Sequence, residues 1–203
     1  MLSKVTYIWI DGAEPYSKLR SKVRIIERPK STLMPEDLPE WGFDGSSTNQ
    51  APTESSDLII RPVRVVPNPL EDEGNYLALC EVFNPDGKEP HPTNLRAKLR
   101  DLMDQVGEEH APWVGFEQEY TLIDLETGLP LGFPKDGYPG PQGPYYTSVG
   151  AANTKGRDLV DEHLHLCLEA GLNVEGINAE VMMGQWEYQI FAKGAESAGD
   201  QIW

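Results

Sequence analysis

Cysteine is scarce in this 203-residue chain: only Cys80 and Cys167 occur, far apart and without the pairwise spacing of a metal cluster. The chain therefore has no disulfide framework to rely on, and both thiols are expected reduced and buried, as in a reducing compartment. Cations are also in short supply, with 17 Lys and Arg against 33 Asp and Glu, a formal net charge of −16. Unspecific binding to nucleic acid or to an anionic membrane rewards basic clusters that are missing here, whereas metal cations suit this balance. No apolar run approaches the roughly 20 residues of a membrane span. The start, Met1 to Gly12, lacks a signal peptide's long apolar region and cleavage site, so a cytoplasmic location is expected. Neither Gly-x-x-x-x-Gly-Lys-Ser/Thr nor a Gly-x-Gly-x-x-Gly after a strand is present, which disfavours Walker-type and Rossmann nucleotide sites.

What is present reads as an ordinary globular chain, 39% hydrophobic and 25% charged. Strands are expected over 5–10, 23–27, 58–62 and 76–82, forming a small sheet domain over residues 1–86. The breaker-rich stretch Asn84-Pro85-Asp86-Gly87-Lys88-Glu89-Pro90 closes it. A helix capped by Thr93 follows, with Leu95, Leu99, Leu102, Met103 and Val106 recurring at helical spacing and Gly107 ending it. Its charged residues are expected on the solvated side. A second helix is expected over 155–170, with Gly171 as its stop and His163 as a core or subunit-contact residue. Leu129 to Phe133 is a further strand candidate, and residues 134–150, crowded with Gly, Pro and Tyr, read as an ordered functional loop. The fold class is α+β.

The chemistry lies in two pairs of glutamates. In Val114-Gly115-Phe116-Glu117-Gln118-Glu119-Tyr120-Thr121-Leu122 the apolar residues alternate, so Glu117 and Glu119 share the opposite face of a strand, roughly 7 Å apart. Further on, Val181-Met182 and Gln185 to Ile190 read as strands joined by Met183-Gly184. A two-residue turn there sets Glu180 opposite Glu187, their Cβ atoms about 5 Å apart, unless a bulge at Gly184 shifts the register. One such pair is unremarkable on a solvated strand. Two pairs, each backed by aromatic residues on the alternate face, point to a carboxylate cage for hard cations, Mg²⁺ or Mn²⁺ rather than zinc. A remaining concentrated signal, Trp41-Gly42-Phe43-Asp44-Gly45-Ser46-Ser47-Thr48, has by itself the composition of a turn.

Taken in order, these blocks resemble glutamine synthetase, the type II class in particular. The resemblance rests on Trp41 to Thr48 with Glu54-Ser55-Ser56-Asp57, on Gly115 to Leu122, on Pro139 to Gly150, on Gly156-Arg157-Asp158, and on Asn178-Ala179-Glu180-Val181 with Gln185-Trp186-Glu187. It implies a β-grasp-like domain over 1–86 followed, over 87–203, by the first half of the synthetase catalytic domain. It further implies that Glu117, Glu119, Glu180 and Glu187 contribute to the metal sites that hold ATP and glutamate. Asp44 matches the aspartate that binds and deprotonates ammonium, Ser47 the hydroxyl beside it, Tyr146 another member of that pocket, and Trp113 an aromatic residue near the adenine. ATP, glutamate and ammonium are the implied substrates, in a ring-shaped homo-oligomer whose subunits share active sites. Family members continue well beyond Trp203, so a fragment is expected, and a catalytically incomplete module that binds metal or neighbouring subunits is the rival reading. At Ile190-Phe191-Ala192-Lys193 the chain departs from the Ile-Gly-Pro of many relatives.

Overall fold

The structure, a computed structural model, describes residues 2–27 and 32–203, in two compact units that divide between Ala111 and Pro112. The first unit contains β1 (Leu2–Ile10), β2 (Leu19–Glu27), β3 (Trp41–Asp44), β4 (Asp57–Pro67), β5 (Tyr76–Phe83) and α1 (Leu95–Val106). Its sheet runs in the order β2-β1-β5-β4-β3. Only the β1/β5 pairing is parallel. Alternation dictates which face is buried: Ser3, Val5, Tyr7 and Trp9 of β1 turn into the core with Leu58, Ile60, Tyr76 and Ala78.

The sheet is strongly curled. In a flat sheet β1 and β3 would lie three strand spacings apart, about 14 Å. Yet the Trp9 and Phe43 rings are 4.9 Å apart and those of Tyr7 and Trp41 5.6 Å apart. Even the outermost strands meet: Lys22 Nζ on β2 donates to Gly42 O on β3 at 2.8 Å and lies 3.7 Å from the Trp41 ring centre. Arg24 donates to Glu40 O just before β3.

Helix α1 departs from its sequence reading in two ways. Its cap is Asn94, which accepts from Ala97 N at 3.0 Å, while the Thr93 hydroxyl accepts from Gln50 Nε2 at 2.9 Å. Its apolar stripe is also not its packing face, since Leu95 is 69% and Leu102 54% exposed. Instead Arg96 and Arg100 turn toward the sheet, each placing a guanidinium nitrogen 2.6 Å from a carboxylate oxygen of the fully buried Glu81 side chain. A charge inside β5 cannot be left bare, so it fixes the helix's orientation more firmly than leucine spacing does.

The second unit consists of β6 (Trp113–Thr121), α2 (Arg157–Glu169), β7 (Val174–Ala179), β8 (Gln185–Lys193) and α3 (Ala195–Ile202). Its antiparallel sheet has the order β6-β8-β7, with Val160, Ala179 and Trp186 buried together against Tyr120, Leu122 and Ile177. The strand expected over 129–133 does not form. A single bridge joins Ile123 to Pro130, since Pro130 and Pro134 offer no backbone donors to a ladder.

Replacing Glu81 by Ala should leave two arginines facing an apolar sheet and destabilise the first unit by about 2–3 kcal/mol, below the range for fully buried pairs because Arg100 is partly solvated. The midpoint of urea unfolding tests this. A shift no larger than that of the exposed change Asp104→Ala would mean that the clasp contributes nothing.

Candidate active site

Register builds the carboxylate centre. Across the β6/β8 ladder Glu119 lies opposite Glu187 and Glu117 opposite Gln189, while across the β7/β8 ladder Asn178 lies opposite Glu187. The hairpin therefore differs from its sequence reading by two residues. Strand β7 stops at Ala179, opposite Trp186, and Glu180 N donates to Gln185 O at 2.9 Å. Residues 181–184 form a longer turn closed by Gln185 N donating to Met182 O at 3.1 Å, with Gly184 at φ +81°. A Cβ on Gly184 would sit 2.6 Å from Leu131 O, so that turn has room for glycine alone. The like charges directly opposed on the sheet are Glu119 and Glu187, and Glu180 reaches them from just beyond the end of β7.

The outcome is a trio. One carboxylate oxygen from each of Glu119, Glu180 and Glu187 lies within 4.8 Å of the others, with Glu180 and Glu187 buried and Glu119 exposed. Glu117 shares their sheet face but stands apart, lining an open cavity with Glu175, Gln189 and Phe191. The trio's neighbours are amides. Gln185 Nε2 donates to Glu119, Gln189 Nε2 donates to Glu187 and, at 2.8 Å, to Asn178 Oδ1, and Asn178 Nδ2 donates to Glu180 at 3.1 Å. None of the ion pairs among the described residues includes any of the three glutamates. At 4.8 Å, two carboxylates repel by about 3–4 kcal/mol in an effective dielectric of 20. Amides orient these oxygens without cancelling their charge. An all-oxygen donor set with three negative charges fits a hard divalent cation.

The sequence reading missed the amide scaffold. Its one visible sign was the alternation that puts Gln185, Glu187 and Gln189 on the same face of β8.

In the first unit, Asp44 ends β3 and caps the 3-10 turn Gly45–Thr48. Its carboxylate accepts from the hydroxyls of Ser46 and Ser47 at 2.6 and 2.7 Å and from Ser46 N at 3.0 Å. The Ser47 hydroxyl is thereby held directly on Asp44. These bonds, from the Ser46 hydroxyl above all, then from Ser47, lower the Asp44 pKa from 3.8 to about 2. The turn is pinned from β1: Gly12 N donates to Thr48 O at 2.9 Å, and Gln50 Nε2 to Ile10 O at 3.2 Å.

The other two named residues lie in the second unit. Tyr146 sits half exposed in the turn closed by its own N–H to Gly143 O, and the loop around it is tied to the β7 end by Thr147 N donating to Ala179 O at 2.9 Å. Trp113, exposed at the start of β6, stacks on Phe191 with ring centres 5.0 Å apart.

Residues 1–85 match the glutamine synthetase β-grasp domain family. Over 202 residues the chain is 52% identical to glutamine synthetase of Bradyrhizobium diazoefficiens, covering 98% of this chain and 56% of that protein. It is 49% identical to glutamine synthetase of Streptomyces viridochromogenes over all of its length, which is 57% of that protein. The chain belongs to the glutamine synthetase family. It is also 48% identical to the chloroplastic glutamine synthetase of Chlamydomonas reinhardtii, across 97% of this chain and 53% of that enzyme. The chain thus spans little more than half the length of these glutamine synthetases. No helix among the described residues is long and apolar enough to cross a membrane.

Because the Asp44 pKa is depressed, its anionic form is favoured, and this stabilising contribution is complete above 3.8 and lost as pH falls through about 2. Ser46→Ala should move the Asp44 titration upward toward 3.8, and Ser46→Ala with Ser47→Ala further still. Carboxyl-carbon NMR titration reads this directly. An unchanged midpoint in the double variant would show that the hydroxyls do not hold the charge.

Proposed function

We propose that the protein carrying this chain is a glutamate–ammonia ligase. In this reading the γ-phosphoryl group of ATP passes to the side-chain carboxylate of glutamate, and ammonia then displaces phosphate from the γ-glutamyl phosphate to give glutamine. The observation that supports it most is the trio Glu119, Glu180 and Glu187, converging and hydrogen-bonded by neutral amides among the described residues, in a chain about half identical to glutamine synthetases.

Glu119, Glu180 and Glu187 would hold one divalent ion, Mg²⁺ or Mn²⁺, and Glu117 would serve a second with the neighbouring acid Glu175. Such ions, when bound, neutralise phosphate charge and bring the two reactants together. Trp113, stacked on Phe191, offers an exposed aromatic face to a nucleotide base. Asp44, held as an anion by Ser46 and Ser47, provides the charge that captures ammonium, and Tyr146 of a neighbouring subunit would be a further member of the pocket. A carboxylate with a pKa of about 2 binds an ammonium ion far better than it deprotonates one. Taking its proton would need Asp44 to be released from the two serine hydroxyls. In this reading subunits assemble as a homo-oligomeric ring, with Asp44 lent to the catalytic half of a neighbour.

Glu187→Gln and Glu119→Gln should each weaken Mn²⁺ binding, measured by calorimetry or by the paramagnetic resonance of free Mn²⁺, at least tenfold more than the exposed change Glu126→Gln. Equal binding curves would remove the carboxylate centre from the argument. The ligase reading itself is tested on the intact protein by phosphate release that requires ATP, glutamate and ammonium together. Release without glutamate, or none despite bound metal, would reject it.

A further inference from the structure

Tyr120 and Tyr188 alternate with Glu119 and Glu187 along β6 and β8, so their rings lie on the other face of the sheet from the carboxylate trio. The His163 ring of α2 meets both edge-on, with centres 6.2 Å from Tyr120 and 5.3 Å from Tyr188. One helical turn on from His163, the buried Cys167 places its Sγ 3.4 Å from His163 Nε2. The Tyr120 hydroxyl is buried with no hydrogen-bond partner among the described residues. Burial raises the pKa of both phenols, and charge on Cys167 would raise them a little further, so the thiol lies within electrostatic reach of them. Sulfur and imidazole nitrogen thus meet behind the sheet, beside the rings of two tyrosines, and the glutamate-based reading uses none of them.

The spacing of sulfur and nitrogen is informative. A tetrahedral zinc-class ion bound at usual bond lengths to one thiolate and one imidazole holds those two atoms about 3.6 Å apart. The observed 3.4 Å is close to that edge, so both atoms could bind one ion without a change of helix geometry. Spacing between Cys80 and Cys167 hides this, because the cysteine's partner is a histidine four residues earlier.

We propose that Cys167 and His163 form a binding site for a thiophilic metal ion of the Zn²⁺ and Cd²⁺ class, behind the sheet whose front carries the carboxylate trio, with water completing the coordination. On binding, the Cys167 S–H bond ionises, its proton leaves to solvent, and the sulfur lone pair forms the bond to the metal. Sulfur and imidazole select a soft or borderline ion, whereas the front face selects a hard one, so the two sites divide metals by chemistry. This proposal does not depend on ligase activity.

The test is a Cd²⁺ titration of the chain in saturating Mg²⁺, followed by the ultraviolet charge-transfer band of a cadmium-bound thiolate. One equivalent should generate the band, and Cys80→Ser should retain it. Cys167→Ser should abolish it, and His163→Gln should weaken binding by at least the roughly 10–100-fold that loss of an outer-shell partner costs. Circular dichroism shows whether each variant is folded, and the wild-type and Cys80→Ser titrations decide the matter even if Cys167→Ser is not. Absence of a band in the wild type, a band lost in Cys80→Ser, or one suppressed by Mg²⁺ would overturn the proposal.

Discussion

Mutual repulsion among three carboxylates is the constraint around which the second unit is arranged. Register brings Glu119 face to face with Glu187, and the end of β7 adds Glu180. Directly opposed like charges destabilise a sheet, so the surroundings have to hold the side chains without discharging them. Asn178, Gln185 and Gln189 do so by donating neutral hydrogen bonds. Aromatic packing of Trp186 and Tyr188 on the reverse face supplies the burial that keeps the strands together despite the repulsion. A basic residue in place of any amide would relieve the same strain, and would also cancel the negative charge that the trio presents.

The first unit deals with charge in the opposite way. Glu81 is buried and answered by two arginines, which fixes a helix, whereas Asp44 is exposed and answered by serine hydroxyls, which leave its charge available. Its turn is set by the last residues of β1 and by Gly12, where a Cβ would meet Asn49 O at 2.3 Å. The rigidity of the curled sheet therefore reaches the one carboxylate that the turn presents.

Alternation made much of this legible beforehand. Glu117 and Glu119 could be assigned a common face because Phe116, Tyr120 and Leu122 mark the other, and Gly107 and Gly171 mark real helix ends. Registers were less legible, since two-residue and four-residue turns around Gly184 use the same glycine and differ only in how the chain meets Leu131. Nor could helical periodicity in α1 reveal that a distant Glu81 would draw the arginine side inward. The block Trp41 to Asp44 looked like a turn because the residues that make it a strand are those of β4, its partner at Ile60 to Asp57.

Lys22 and Arg24 fasten the outermost strands of the first sheet to each other through the carbonyls of Gly42 and Glu40. A free strand edge is ordinarily a template on which another polypeptide can lay itself down, the first step toward aggregates. Here acceptors along one edge are already taken, and the long side chains that take them fill the gap through which an intruding strand would have to slide. The curl that brings the aromatic rings together thus also hides the sheet from unwanted company while the chain is at high concentration.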